Sequence, residues 1–180
     1  MKYLLLAVLT TISFSLMAQS EAKMSKSADA GQQIQWMSWD EAYAANSKEP
    51  RKIFVDVYTS WCGWCKKMDK TTFQDQQIIK EINESFYAVK FDAEMKEDIN
   101  FNEAVFSHVN QGRNGTHQLA FALLDGRMGY PAFVLLDESF NRVMLAPGYK
   151  TAEQLILQLK YTSTDAYKTQ NFDTFSKADD

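Results

Sequence analysis

Lys52-Ile-Phe-Val-Asp-Val-Tyr58, followed at once by Thr59-Ser-Trp-Cys-Gly-Trp-Cys-Lys-Lys-Met68, decides how this 180-residue chain is read. The first half is almost continuously apolar, β-branched or aromatic, the pattern of a strand buried on both faces. The second half is a strand-to-helix turn whose helix runs to about Lys70. It carries both cysteines of the chain, Cys62 and Cys65, at the start of that helix. Asp56 stands out as a carboxylate within the apolar run.

Three chemistries use a Cys-x-x-Cys pair. Zinc needs four ligands, and the remaining soft donors, His108 and His117, flank a polar turn instead of following a His-x3–5-His spacing. Covalent haem attachment usually takes a histidine directly after the second cysteine, where this chain has Lys66, a residue found there only in a rare variant of such sites. A disulfide remains, structural or redox-active. As a staple it is poor, because closing so short a loop removes little entropy from the unfolded chain. As a redox pair it is well placed. A thiolate at a helix N-terminus is stabilised by unpaired amides and the positive dipole end, which favours Cys62 as nucleophile. Cys65, one turn along and less exposed, would then resolve the mixed disulfide.

Asp56 has two readings. Buried in the strand, its carboxyl would rise in pKa and serve as a proton acceptor for a buried thiol; at the strand end, it would turn to water. Lys90, in the neighbouring strand candidate, either approaches Asp56 or is solvated. Pro131 follows Tyr130 just before a strand, a position open to a cis peptide or an ordinary trans edge proline. Trp61 and Trp64 form either an apolar docking patch or local packing.

Outward from this centre, Ile34 to Met37 reads as a short edge segment. Ser38 with Glu41 three positions on predicts a capping box and a helix to about Ser47, stopped before Pro50. A helix over 75–84 presents Ile78, Ile79 and Ile82 on one face. Phe86–Asp92 is a second core strand. From Ala93 to Gly129 no strand is expected, and short helices are placed over 102–108 and 117–124, separated by the turn-forming Asn110–Gly115. Ala132–Leu136 is a third buried strand, joined by a hairpin to a fourth over 142–145. Thr151 with Gln154 opens a last amphipathic helix, and residues 162–180 dock as one more helix or fray.

Met1 and Lys2 followed by an apolar run to Met17 and then Ala18 read as a secretory signal peptide over 1–18, with cleavage after Ala18 favoured over Ala22. No cysteine near the cut allows lipid attachment, so no stable membrane insertion is expected after cleavage. Residues 19–31 read as a flexible polar leader. Across the chain 46% of residues are apolar, and 19 basic against 23 acidic side chains leave a net charge of −4. This balance excludes a basic nucleic-acid binder, and the length suits one domain.

Taken together, Trp61-Cys-Gly-Trp-Cys-Lys66, Asp56 six residues before Cys62, Lys90 in Val-Lys-Phe-Asp, and Gly129-Tyr-Pro131 resemble the thioredoxin fold of exported bacterial thiol-disulfide oxidoreductases. The resemblance implies an α/β fold with a central mixed sheet flanked by helices, over 32–161, followed by a C-terminal extension over 162–180. It implies a redox-active Cys62–Cys65 disulfide as the catalytic pair, with Asp56 and Lys90 as the buried acid and its accompanying lysine. It also places Trp61, Gly63, Trp64, Tyr130 and a cis Pro131 along the substrate groove. No metal or organic cofactor is called for, since the thiols carry the electrons.

The implied partners are cysteine-containing exported proteins and a thiol electron donor or acceptor, soluble or in the membrane. The chain departs from the family pattern in three ways. The span from Lys90 to Pro131 is far longer than in a minimal thioredoxin, which places an insertion at about 94–114, near the active-site face. Trp64 stands where thioredoxin has proline, and Tyr130 precedes the groove proline. The motif favours a reductase. The rival reading is a non-catalytic binding or chaperone-like module of the same fold with a structural disulfide.

Overall fold

Ser38 and Glu41 form both halves of the expected capping box: Glu41 N donates to Ser38 Oγ and Ser38 N to the Glu41 carboxylate, at 3.2 and 2.8 Å. They start the first helix of a computed structural model that describes residues 32–110 and 112–178. The proposed signal peptide and leader, and Asp179–Asp180 of the C-terminal extension, lie outside these residues. Strand β1 (Trp36–Met37) leads into α1 (Trp39–Asn46), β2 (Lys52–Tyr58), α2 (Gly63–Lys70), α3 (Gln76–Ser85) and β3 (Phe86–Asp92). A single 3-10 turn, Thr72–Gln74, joins α2 to α3.

β1, β2 and β3 run parallel, whereas β8 (Ala132–Leu136) pairs antiparallel with β2, and β9 (Arg142–Pro147) antiparallel with β8. The resulting mixed sheet has the order β1-β3-β2-β8-β9. β2 is buried on both faces, as its composition predicted. Ile53, Val55 and Val57 face Trp39 and the 119–124 segment, while Phe54 faces Met68 of α2, Ile78, Ile79 and Ile82 of α3, and Leu155 and Leu159 of α5 (Ala152–Ser163). Phe54 stacks on Phe133 at 5.8 Å between centroids, and Phe73 meets both rings edge-on.

The segment between β3 and β8 differs from its reading. No helix forms over 102–108. Instead β4 (Ile99–Phe101) and β5 (Ala104–Phe106) make a hairpin, its turn residues Asn102 and Glu103 both at positive φ, the backbone that tight hairpins require. Ile99, Phe101 and Phe106 turn to the core, a period-two pattern too short to stand out from the polar residues around it. A second ladder joins β6 (His108–Val109) to β7 (Thr116–His117), and α4 (Gln118–Leu123) follows directly, with His117 Nδ1 accepting from Leu119 N at its start. The last strand extends two residues further than expected, to Pro147. The extension docks: 3-10 turn Ala166–Lys168 and α6 (Phe172–Ala178) bring Tyr167, Phe172 and Phe175 against the ring of Tyr161. Among the described residues no helix is long and apolar enough to cross a membrane.

Gly115 closes the β6–β7 hairpin at φ +76, where an added Cβ would overlap the imidazole of His108 and come within 2.7 Å of the Val109 carbonyl oxygen. Gly115→Ala should therefore lower stability by at least about 1 kcal/mol in urea unfolding, with faster amide exchange in β6 and β7.

Candidate active site

β2 and β3 are parallel, so the chain leaves both strands at the same end of the sheet. This single fact puts the Cys-x-x-Cys turn, which follows β2, beside Ala93 and Glu94, which follow β3. Cys62 occupies the N-cap of α2, and its Sγ accepts from Cys65 N at 3.0 Å. The two sulfurs form a disulfide with Cα atoms 5.3 Å apart. Cys65 is the less exposed partner by a narrow margin, at 3% against 4% for Cys62, because in this bonded form the turn covers both. The exposed part of the motif is aromatic, with Trp61 at 58% and Trp64 at 56%.

Neither tryptophan is loose. Trp61 Nε1 donates to Glu94 Oε1 at 2.8 Å, and its ring meets Tyr130 edge-on at 5.9 Å. Trp64 lies against Tyr149, with the Lys67 ammonium over both rings at 4.9 and 5.0 Å. Gly63, between the cysteines, is exposed. The Tyr130–Pro131 peptide is cis, and Pro131 immediately precedes β8 beside the Tyr130–Trp61 contact. Tyr130 is pushed up to about 12 by burial and by the carboxylates of Glu94 and Asp92.

Beneath the turn, Asp56 pairs in register with Lys90 of β3 on one side and Phe133 of β8 on the other. Its side chain is only 1% accessible, and Lys90 Nζ lies 2.6 Å from Oδ2. The solvated readings of Asp56 and Lys90 are thus both replaced by a buried ion pair. Lys90 also pairs with Asp69 on α2, and its ammonium lies over the rings of Trp36, Tyr58 and Phe73. Burial pushes the Asp56 carboxyl up to about 6, with Lys90 pulling it partly back. Burial also pulls Lys90 down, but the two carboxylates outweigh it and hold the ammonium above its usual range.

The insertion does more than lengthen an edge. Asn114 Nδ2 donates to both oxygens of Glu94 at 3.1 and 3.3 Å, and the Asn114 carbonyl in turn accepts from Lys96 Nζ. A cleft of about 640 Å³ opens at Trp61, the residue before Cys62, lined also by Glu94, Met128 and Tyr130, with residues 112–116 as a further wall. His108 lies against Lys96 and His117 is a buried helix cap, so the two imidazoles have separate structural partners.

Asp69 and Glu94 were not singled out in the sequence. Asp69 follows Cys65 by one helical turn, a spacing that could have marked it, but among Lys66, Lys67 and Lys70 it reads as a solvated helix acid. Glu94 gives no local signal, since its partner Trp61 lies on another strand's loop.

Residues 16–154 match the Thioredox_DsbH family, described as a protein of unknown function, DUF255. The Uncharacterized protein B0495.5 of Caenorhabditis elegans is 30% identical over 97 residues, which cover 53% of this chain and 13% of that protein. The chain thus spans a small part of the curated relative's length. Among solved structures, a thioredoxin-fold protein from Helicobacter pylori superposes with a TM-score of 0.57 at 16% identity, covering 85% of this chain and 92% of its own. A DsbH oxidoreductase gives 0.51 at 19%, covering 77% and 87%. The fold is the thioredoxin fold.

The folded state holds the Asp56 proton up to about pH 6, whereas the unfolded chain releases it near 3.8. Stability therefore falls as pH rises across that window, and the cost of the buried carboxylate is fully present above it. Asp56→Asn should stabilise the protein at pH 8 by up to about 3 kcal/mol, with the gain fading towards pH 4. Urea unfolding at both pH values checks this.

Proposed function

The chain belongs to the Thioredox_DsbH family, and on that premise we propose that it is an exported thiol-disulfide oxidoreductase that reduces disulfides of cysteine-containing proteins. The observation that carries the reading is Cys62 at the N-cap of α2, its sulfur accepting the Cys65 amide. On reduction that amide and the helix dipole stabilise a Cys62 thiolate.

In the proposed cycle the Cys62 thiolate attacks a substrate disulfide. A Cys62–substrate disulfide forms, and the other substrate sulfur leaves as a thiolate. Cys65, having lost its proton, attacks Cys62 Sγ, which restores the Cys62–Cys65 disulfide and frees the second substrate thiol. Two electrons pass from the pair to the substrate, and a thiol donor, soluble or membrane-bound, returns them. Asp56 is the proposed acceptor of the Cys65 proton: it lies on the sheet face that packs against α2, and a carboxyl near pH 6 exchanges protons readily at neutrality. Lys90 positions and tunes it. Trp61, Tyr130 and Pro131 line the proposed substrate groove with Gly63 and Trp64. Export rests on the sequence of Met1–Ala18.

Cys65→Ser should trap a mixed disulfide between Cys62 and a disulfide-bonded protein such as insulin, visible on a non-reducing gel. Cys62→Ser should trap none and abolish turnover with dithiothreitol as donor. Equal trapping by both variants would contradict the assigned order of attack. A wild-type protein that reduces no disulfide would favour the binding-module reading.

A further inference from the structure

Helix α2 buries Cys65 and Met68 and turns the opposite stripe outward. Gly63, Lys66, Lys67 and Lys70 follow one another on that stripe at steps of three, one and three residues, and all four are exposed. Among the described residues none of the three lysines forms an ion pair. The helix's single acid, Asp69, is committed to Lys90. Lys66 and Lys70, one turn apart, therefore repel each other without compensation, in a chain whose net charge is −4. The stripe borders a shallow hollow of about 350 Å³ lined by Gly63, the three lysines and Thr71. Beside it Trp64 and Tyr149 offer an aromatic platform under the Lys67 ammonium.

The stripe begins at Gly63, between the two cysteines in the chain, so a segment lying along it ends next to the Cys-x-x-Cys turn. We propose that this lysine stripe is the docking surface for a carboxylate-rich segment of the polypeptide whose cysteine exchanges with Cys62. The proposal rests on the redox reading of the pair and adds the partner's charge. Carboxylates flanking the partner cysteine meet three ammonium groups that no carboxylate of the described residues holds, and apolar neighbours meet the open parts of Trp64 and Tyr149. An anionic lipid surface would also attract the lysines, but Gly63 to Lys70 spans only about two turns of one helix, the footprint of a short peptide segment.

The test uses two peptide disulfides with the same core, one flanked by glutamates and the other by lysines. The glutamate peptide should exchange faster, on the order of tenfold at low salt, through association rate. Its advantage should collapse at about 300 mM salt, where exposed charges are screened. In Lys66→Glu/Lys67→Glu/Lys70→Glu the preference should reverse, a result that a misfolded protein would not give. Equal rates for the two peptides, or a preference that survives the charge reversal, would overturn the proposal. So would strong binding to phosphatidylglycerol vesicles without any preference between the peptides. Serine-for-cysteine versions of both peptides, followed by fluorescence anisotropy, separate the two layers of the reading. A binding preference without exchange in the wild type supports the docking surface and overturns the redox reading alone. Equal binding overturns the docking surface.

Discussion

The Lys90 ammonium is the point on which the site hangs. It meets Asp56 from β2 and Asp69 from α2 while lying among the rings of Trp36, Tyr58 and Phe73. It therefore ties the central strand to the helix that carries the cysteines. A carboxylate as deeply buried as Asp56 is tolerable only with such a partner, because an unpaired buried charge is far more costly than a paired one. The strand register makes the meeting possible, since parallel pairing of β2 with β3 sets Asp56 directly beside Lys90. A slip of one residue would turn one of them to the opposite face.

The same parallel pairing organises the surface above. Cys62 follows β2 where Ala93 and Glu94 follow β3, so the Cys-x-x-Cys turn and the start of the insertion share one end of the sheet. Glu94 then joins them through Trp61 on one side and Asn114 on the other. The insertion thereby becomes a wall of the cleft at Trp61. Trp61, although largely exposed, is held at its N–H and against Tyr130, so little of its rotamer freedom remains.

Much of this was legible in the chain because the decisive signals are local. The buried strand, the Cys-x-x-Cys turn, both capping boxes and the last hairpin each rest on a few adjacent residues. What the sequence did not show depends on partners far apart. Asp69 looks solvated until Lys90 is placed beneath it, and Glu94 looks like a loop acid until Trp61 reaches it. The β4–β5 hairpin was hidden because each strand has three residues and the turn uses Asn102 and Glu103 at positive φ, not the Asn-Gly pair that usually marks such turns. Asp56 was visible as an anomaly, a carboxylate in an apolar run, but only the register decided between burial and solvent.

The central claim is that Cys62 and Cys65 form a working redox pair and not a fixed staple. The most direct test is the equilibrium midpoint potential of the pair in dithiothreitol and glutathione buffers, read by intrinsic tryptophan fluorescence, with Trp61 and Trp64 as reporters beside the disulfide. A working reductase pair shows a reversible two-electron transition at about −270 mV, in the range of reducing thioredoxins. A disulfide that stays closed to potentials well below about −300 mV, as structural bridges do, would contradict it.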